Sequence, residues 1–227
     1  MPLGIGFDIY GTLVDPLEMN GHLRPMVGDL ADRLSELWRE KQVEYAFRRG
    51  LMGRYQDFGV CTRQALRYAM RALKTDLPEE DQERLMSEYQ RLEAFPDVVA
   101  GLETLQSQGR QLAAFSNGSE ATVRSLLDHA AVLPLLDQVV SVDDLRTFKP
   151  DPRVYAYLSE RLGRPAGETW LVSSNPWDVI GAKSAGLRAA WVRRKPVAVF
   201  DPWGVEPDLI AGDLSEFAGR LASSVEV

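Results

Sequence analysis

The residues best suited to chemistry follow four apolar runs of the sequence. Each carries a carboxylate, hydroxyl, amide or ammonium group, except one glycine that lies next to such residues. In chain order they are Asp8 and Thr12, then Ser116, Asn117 and Gly118, then Lys149, and finally Ser173, Ser174, Asn175 and Asp178. Carboxylates, hydroxyls and ammonium groups are common participants in nucleophilic and acid–base catalysis. If the runs are neighbouring parallel strands, these groups converge at one edge of a sheet.

Other kinds of site have little support in the sequence. It contains two histidines, His22 and His129, and neither lies beside a plausible nucleophile or in a zinc-binding spacing such as HExxH. It contains neither the GxGxxG fingerprint of dinucleotide sites nor a P-loop signature. We interpret both histidines as surface or helix-packing residues.

The spacing of apolar residues predicts the elements that position the polar groups. Leu3–Phe7 is a short apolar run typical of a buried strand, and residues 16–93 have helical spacing throughout. Beyond Phe95 short apolar runs alternate with helical stretches. The predicted strands are Gln111–Phe115, Gln138–Val142, Trp170–Ser173 and Ala189–Val192, and the predicted helices are Pro96–Ser107, Glu120–His129, Pro152–Leu162 and Trp177–Ala185.

Strands that alternate with helices of this length predict a parallel sheet wrapped by helices. The first strand is separated from the others by the long helical stretch, which is therefore an insert. Ligands of such sheets bind outside the carboxyl ends of the strands, where the polar groups lie. The final residues, Leu221–Val227, are predicted to fray.

The net charge of the chain indicates which macromolecules are unsuitable as partners. The 227 residues include 26 Lys and Arg against 33 Asp and Glu, a net charge of −7. This balance argues against nucleic acid or an anionic membrane as a partner. The basic run Arg193–Lys195 is therefore interpreted as a solvated loop.

Cysteine usage and hydropathy indicate the compartment. Cys61 is the only cysteine, so no intrachain disulfide can form, as suits a reducing environment. No segment approaches 18 consecutive apolar residues, and the N-terminal MPLGIGFDIYGTLVD has no basic region followed by an apolar one. We expect a cytoplasmic protein without a secretory signal, in which Cys61 is an inert buried thiol.

Four motifs carry a family resemblance. FDIYGTLVD, AFSNGS, TFKPDPRVY and LVSSNPWDVIGA resemble, in order and spacing, the motifs of the haloacid dehalogenase superfamily. LWREKQVEYAFRRGLMGRYQDF and SSNPWD are similar to the L-2-haloacid dehalogenases within it. The resemblance covers nearly the whole chain. It implies an α/β fold with a Rossmann-like parallel sheet core, residues 1–15 and 95–227, and a helical cap subdomain, residues 16–94, inserted after the first strand.

Position 10 separates two activities of this superfamily. Its phosphatases carry Asp-x-Asp, in which the first Asp is the nucleophile and the second protonates a leaving alkoxide. This sequence has Asp8-Ile9-Tyr10, and a halide leaving group needs no proton. A 2-haloacid also lacks the phosphate whose charge Mg²⁺ shields. The resemblance thus implies no metal and no cofactor, with the ammonium of Lys149 in the place of the metal.

The resemblance implies a covalent mechanism. Asp8 would attack C2 of a short (S)-2-haloacid, displace the halide and form an aspartyl ester, which water would hydrolyse to the (R)-2-hydroxyacid. Thr12 would hold Asp8, Lys149 would balance the two carboxylates, and Tyr155 would orient one of these groups. Ser173, Asn175 and Asp178 would position and activate the water. The implied catalytic residues are Asp8, Thr12, Arg39, Ser116, Lys149, Tyr155, Ser173, Asn175 and Asp178.

The resemblance also implies where the substrate binds. Ser116, the Asn117 backbone and the amides following Asp8 would bind its carboxylate. Arg39 would accept the halide together with the Asn117 side chain, since a guanidinium is a permanent cation with several donors. Four residues would form an apolar pocket around the alkyl group. The implied substrate-binding residues are Ile9, Arg39, Ser116 and Asn117, with Tyr10, Val43, Phe58 and Trp177 as the apolar pocket.

Three positions depart from the family pattern. Glu40 stands where a neutral glutamine is expected, and its charge would weaken anion binding if it pointed inward. Pro176 stiffens the turn between Asn175 and Trp177. Phe148 precedes Lys149 where tyrosine is common. None of these changes removes a reacting group, so they bear on substrate range.

Two other functions are weighed against dehalogenation. One is a Mg²⁺-dependent phosphatase of the same fold, which Tyr10 argues against. The other is a non-catalytic binding or regulatory protein, which the full set of reacting groups argues against. The expected partners are a small 2-haloacid and its halide product, with no nucleic acid and no membrane, and the resemblance is compatible with a homodimer.

Overall fold

Across residues 3–223, which the computed structural model describes, the chain builds a six-stranded parallel sheet. The order across the sheet is β3-β2-β1-β4-β5-β6. The strands are β1 (Gly4–Phe7), β2 (Gln111–Ser116), β3 (Gln138–Ser141), β4 (Thr169–Ser173), β5 (Arg188–Val192) and β6 (Leu209–Ala211). The α/β class predicted from the sequence is confirmed.

The strand order places β1 in the middle of the sheet, where the connections reverse direction. Phe7 at its end is in register with Ala114 of β2 and with Val172 of β4. The residues that follow, Asp8 and Ser173 among them, therefore emerge side by side at one edge. A sheet of this kind binds ligands at such a reversal.

Helices cover both faces of the sheet and bury an apolar cluster against each. Helices α7 and α8 pack on one face, and α5, α6 and α9 pack on the other. The helices are α1 (Met19–Val27), α2 (Ala31–Leu51), α3 (Phe58–Ala72), α4 (Glu79–Glu88), α5 (Val98–Ser107), α6 (Glu120–His129), α7 (Pro152–Leu162), α8 (Pro176–Ser184) and α9 (Leu214–Ser223).

Helices α1 to α4 lie between β1 and β2 in the chain. Trp38 of α2 is almost fully buried, and its indole N–H donates to the carbonyl oxygen of Thr62 in α3 at 2.8 Å. We propose that residues 16–94 form the cap subdomain, and that residues 1–15 and 95–227 form the core. Residues 1–2 and 224–227 of that core lie outside the described part of the chain.

The junction between the core and the insert is fixed by a basic side chain. Arg194 donates to Asp97 Oδ1 at 2.5 Å and to the carbonyl oxygen of Thr12 at 2.6 Å. Its guanidinium carbon also lies 4.1 Å from the centre of the Phe95 ring. The interpretation of the basic run as a solvated loop is therefore wrong for Arg194, because the junction supplies a carboxylate, a carbonyl and an aromatic face.

The C-terminal part of the fold was not predicted from the sequence. Strand β6 has three residues, which is too short for a periodic pattern to be recognised. Helix α9 does have such a pattern, because its buried residues Leu214, Phe217, Ala218 and Leu221 follow helical spacing. The predicted fraying of Leu221–Val227 is wrong as far as Ser223, since Leu221 is fully buried in α9.

The cysteine and the two histidines lie in ordinary structural environments. Cys61 is fully buried, and burial raises the pKa of its thiol to about 11. His22 is exposed, and His129 Nε2 lies 3.3 Å from a carboxylate oxygen of Glu93 at the surface.

Within residues 3–223, no helix has both the length and the hydrophobicity that crossing a membrane requires.

Candidate active site

Asp8 follows β1 and is 8% exposed, so its carboxylate lies in a largely dry environment. Its Oδ2 accepts hydrogen bonds from Thr12 Oγ1 at 2.9 Å, Asn175 Nδ2 at 2.8 Å and Ser173 Oγ at 3.3 Å. Its Oδ1 accepts from Lys149 Nζ at 3.1 Å. The two oxygens are therefore unequal, since within residues 3–223 three side-chain donors hold Oδ2 and one holds Oδ1.

The ammonium of Lys149 joins two carboxylates. Its Nζ donates to Asp8 Oδ1 at 3.1 Å, to Asp178 Oδ2 at 3.0 Å and to the carbonyl oxygen of Phe115 at 2.8 Å. All three of its hydrogens are thereby used. The side chain is 1% exposed, and Asp178 is completely buried. A buried charge is costly unless it is paired, so Asp8, Lys149 and Asp178 each depend on the others to remain charged in the interior.

Tyr155 orients the second carboxylate. It is fully buried in α7, and its hydroxyl donates to Asp178 Oδ1 at 2.7 Å. Burial raises the pKa of Asp178, and the neighbouring Lys149 opposes that rise. Gly181 permits the contact, since a Cβ at that position would lie 2.4 Å from the Tyr155 hydroxyl. Burial and the nearby carboxylate also raise the pKa of Tyr155 well above its ordinary value, so it remains a donor.

The loop after β2 adds a hydroxyl and an amide. Ser116 is 2% exposed, and its Oγ accepts a hydrogen bond from the backbone N–H of Gly118 at 3.1 Å, which leaves the hydroxyl hydrogen available. Asn117 Oδ1 accepts from the backbone N–H of Lys149 at 2.9 Å. The group that Asn117 can offer to a ligand is therefore its Nδ2 amide.

Arg39 reaches the site from α2 of the insert. Its Nη2 donates to the carbonyl oxygen of Tyr10 at 3.2 Å, and its Nη1 donates to Gln42 Oε1 at 2.8 Å. The guanidinium has five N–H donors, so others remain for a ligand. A helix of the insert thus supplies a cation to a site whose other polar groups follow the strands of the sheet.

A small cavity of about 10 Å³ lies between these groups. This is about the room that one water needs, so a larger ligand requires the insert or a lining side chain to move. The residues that line the cavity are Asp8, Tyr10, Arg39, Val43, Phe58, Ser116, Asn117 and Trp177. All of the predicted substrate-binding residues except Ile9 therefore face one space. Ile9 is fully buried and does not line the cavity, and its carbonyl oxygen accepts from the backbone N–H groups that follow it.

Tyr10 belongs to an aromatic cluster. Its ring centre lies 5.3 Å from that of Tyr89 and 6.0 Å from that of Phe58. It is 5% exposed, and burial raises its pKa, so the ring is neutral and largely dry. Position 10 therefore provides an apolar wall beside Asp8.

The three departures from the family pattern lie outside the polar centre. The Glu40 side chain is 62% exposed and lies 3.9 Å from Arg33, so its charge does not point into the cavity. Pro176 is the first residue of α8, where its missing N–H costs nothing. Phe148 is buried against Phe58, with 6.3 Å between ring centres.

Two residues have supporting contacts that were not predicted from the sequence. Gln42 is fully buried and accepts from both Arg39 Nη1 and the Tyr89 hydroxyl, which fixes the guanidinium. Gln42 lies three residues after Arg39 on the same helix face, and this spacing could have predicted the contact between the two side chains. Ser174 donates its backbone N–H to Thr12 Oγ1 at 2.8 Å, and no sequence pattern indicated that contact.

The acceptor oxygens of the site do not fit a divalent cation. Asp8 Oδ1 and Asp178 Oδ2 both face the Lys149 ammonium. The Tyr10 carbonyl oxygen faces two donors, Arg39 Nη2 at 3.2 Å and Asn175 Nδ2 at 3.3 Å. The described residues contain no group of three or more His, Cys, Asp and Glu side chains suited to a metal ion. Hydrogen-bond donors, two of them cationic, therefore occupy the places that a hard cation would need.

Comparison with known proteins gives consistent matches. The model of the haloacid dehalogenase-like hydrolase family matches residues 3–186. The (S)-2-haloacid dehalogenase of Pseudomonas putida is 34% identical over 223 residues, or 98% of each chain. The haloacetate dehalogenase H-2 of Moraxella sp. strain B is 39% identical over 204 residues, or 90% of this chain and 91% of that protein. The L-2-haloacid dehalogenase of Xanthobacter autotrophicus, solved with chloropropionic acid covalently bound, has a TM-score of 0.91 and 30% identity and covers 98% of this chain and 99% of that chain.

The buried triad predicts a pH-dependent loss of stability on removing the lysine. In Lys149→Met, Asp8 and Asp178 lose their shared cation, and we expect the free energy of unfolding at pH 7.5 to fall by about 3–5 kcal/mol. Burial already raises the pKa of Asp178, and loss of the cation raises it further. A carboxyl whose pKa is raised by folding destabilises the protein at high pH and less so as the pH falls. Urea unfolding at pH 7.5 and pH 5 should therefore show a smaller loss at pH 5.

Lys183→Met is the matched control for this experiment. Its Nζ contacts Asp208 at 2.8 Å, but both side chains are at least a quarter exposed. Loss of such a pair costs at most about 1 kcal/mol. An equal loss at both pH values in Lys149→Met would contradict the electrostatic origin of its effect.

Proposed function

The chain belongs to the haloacid dehalogenase-like hydrolases, and we propose that it hydrolyses short (S)-2-haloacids to (R)-2-hydroxyacids and halide. One observation carries the proposal. Asp8 faces a cavity with an apolar wall at Tyr10 and a guanidinium at Arg39, and no second carboxylate stands at position 10. A carboxylate beside an apolar wall and a cation suits displacement of an anionic leaving group from carbon.

The first step is a displacement at carbon. Asp8 Oδ1 attacks C2 of the haloacid from the side opposite the halogen, and the carbon–halogen bond breaks with its electron pair leaving on the halide. The unequal hydrogen bonding of Asp8 supports this choice of oxygen, because Lys149 is the one donor to Oδ1 among the described residues, and a lone pair stays free for the attack. The product is an ester between Asp8 and an inverted C2.

Charge develops on the halide during this step. Arg39 and the Asn117 Nδ2 amide both line the cavity and offer N–H donors to it. The Ser116 hydroxyl and the backbone following Asp8 are the donors left for the substrate carboxylate. The leaving halide and the substrate carboxylate thus bind to separate sets of donors. C2, which lies between these two groups, is thereby positioned against Asp8.

The second step restores the enzyme. Water adds to the carbonyl carbon of the Asp8 ester, and the bond from that carbon to the bridging oxygen, the former Oδ1, breaks. That oxygen leaves as the hydroxyl oxygen of the hydroxyacid. One water proton ends on it, the other is released to solvent, and the water oxygen stays in the Asp8 carboxylate. Ser173 and Asn175 hold Asp8 Oδ2 at 3.3 and 2.8 Å and are placed to orient the carbonyl. Asp178 lies on the other side of Lys149 and is held by Tyr155, a position suited to accepting a proton during the attack.

The wider setting is also part of the proposal. We propose a cytoplasmic enzyme that uses neither metal nor organic cofactor and binds neither nucleic acid nor membrane. The net charge of −7 and the single buried cysteine support that setting. A homodimer stays an expectation from the family resemblance.

Chloride release separates the proposed function from its alternatives. The protein should release chloride from (S)-2-chloropropionate and not from the (R) enantiomer, because Asp8 and the separate sites for the halide, the carboxylate and the alkyl group together accept one arrangement of substituents around C2. EDTA should leave the rate unchanged, since Lys149 Nζ lies between the carboxylates that a cation would need. Phosphate release from monoesters that depends on added Mg²⁺ would favour the phosphatase instead. Inertness toward a broad haloacid panel would favour a binding protein.

Isotope labelling tests the covalent intermediate. In a single turnover in H₂¹⁸O, the label should enter the Asp8 carboxylate first and be absent from the first hydroxyacid released, because water attacks the ester carbonyl. Mass spectrometry of the Asp8 peptide and of the product measures both. Label found at once in the hydroxyacid would mean that water attacks C2 directly.

Replacement of the cap arginine tests the halide site. Arg39→Lys keeps the charge but loses the planar array of donors and the two contacts to Tyr10 and Gln42. Turnover of (S)-2-chloropropionate should fall by at least about 10²-fold, the effect of losing one such donor. Glu40→Gln is the matched control on the same helix, and its exposed position predicts nearly unchanged kinetics. Normal turnover in Arg39→Lys would place Arg39 outside the site.

A further inference from the structure

We propose that Trp177 limits the length of the substrate's alkyl chain by closing off a second cavity, here called the outer chamber. This inference rests on the proposed dehalogenase function. The outer chamber has a volume of about 590 Å³, within the range of small-molecule sites. Its apolar lining includes Ala46, Phe47, Gly50, Phe148, Trp177 and Ile180.

Trp177 is an apolar side chain shared by the two cavities. It lines the 10 Å³ cavity that contains Asp8 and also lines the outer chamber. Its ring packs edge-on against Phe47 with 5.0 Å between centres and an angle of 78°. The indole therefore stands as a partition between a very small reaction space and a much larger apolar space.

Helix α2 shows that the two spaces are consecutive. Arg39 and Val43 line the inner cavity, whereas Ala46, Phe47 and Gly50 line the outer chamber. Arg39, Val43, Ala46 or Phe47, and Gly50 follow one another at intervals of three or four residues and so lie on one helical stripe. From Val43 to Gly50 the helix rises about 10 Å, which is two turns. The stripe thus leads directly from the reaction space to the chamber.

The surface that the chamber offers matches a hydrocarbon tail. Lys149 lines it, but its ammonium is directed to Asp8 and Asp178, so the stem of the side chain is what remains for the chamber. Thr147 and Asp151 are polar members of the lining and hydrogen-bond to each other at 3.0 Å. The ligand that fits is the alkyl chain of a 2-haloalkanoic acid, whose carboxylate and halogen remain at the inner site.

Chain-length selectivity tests the partition. We compare kcat/KM for (S)-2-chloropropionate and (S)-2-chlorohexanoate in the wild type, Trp177→Ala and Trp177→Phe. The wild type should prefer chloropropionate by at least about 10-fold, and Trp177→Ala should move the ratio toward chlorohexanoate by at least about 10-fold, the scale of small differences in apolar contact. Trp177→Phe retains a ring and should move it less.

Trp203→Ala is the matched control. Trp203 also lines the outer chamber, but it is 73% exposed and does not line the inner cavity. This variant should leave the ratio unchanged. If Trp177→Ala is inactive toward both substrates, calorimetric titration with hexanoate and propionate decides, because the variant should gain affinity for hexanoate relative to propionate.

The possible outcomes separate the two proposals. A wild type inert toward both substrates rejects the dehalogenase function itself. A wild type that is active but equally fast with both chain lengths, or a Trp177→Ala ratio that does not move, rejects the partition alone. An equal rise in kcat/KM for both substrates in Trp177→Ala also rejects it, since that would make the chamber an entry passage and not a chain-length site.

Discussion

The buried ammonium of Lys149 is the contact on which the rest of the site depends. It neutralises part of the charge of Asp8 and Asp178, and its third hydrogen goes to the carbonyl oxygen of Phe115 on β2. Three segments of the chain are thereby fastened at one point, each from a different strand end. The arrangement lets a carboxylate remain in a dry pocket, where an unpaired one would be too costly.

The sheet and the insert contribute different kinds of group to the site. The strand ends supply the polar centre around Asp8, held rigidly because β1 pairs with a strand on each side. The insert supplies Arg39 together with apolar side chains such as Phe58. At the junction, Arg194 binds both Thr12 and Asp97, so the two segments that connect the core to the insert are held together. Precise placement of groups from the sheet and from the insert is what a displacement reaction requires.

An aromatic residue at position 10 changes the character of the pocket. Tyr10 is buried against Tyr89 and Phe58, and its carbonyl oxygen accepts from Arg39 and Asn175. The side chain thus makes the space apolar, while its backbone takes part in holding the cation of the insert. Tyr10 thus stands where the phosphatases have a second carboxylate, and it also helps to position the guanidinium of Arg39.

The sequence was enough to predict the parallel sheet, the insert and the polar residues at the strand ends, because periodicity and strand-end position are local properties. It also placed Tyr10 next to Asp8, since they belong to one motif. The tertiary structure was needed to show that Gln42 holds Arg39, and that the Arg194 side chain is mostly buried, with 12% of it exposed. It also decided that Trp177 separates two cavities. These features depend on which distant side chains meet, and a pattern along the chain carries no distance between elements.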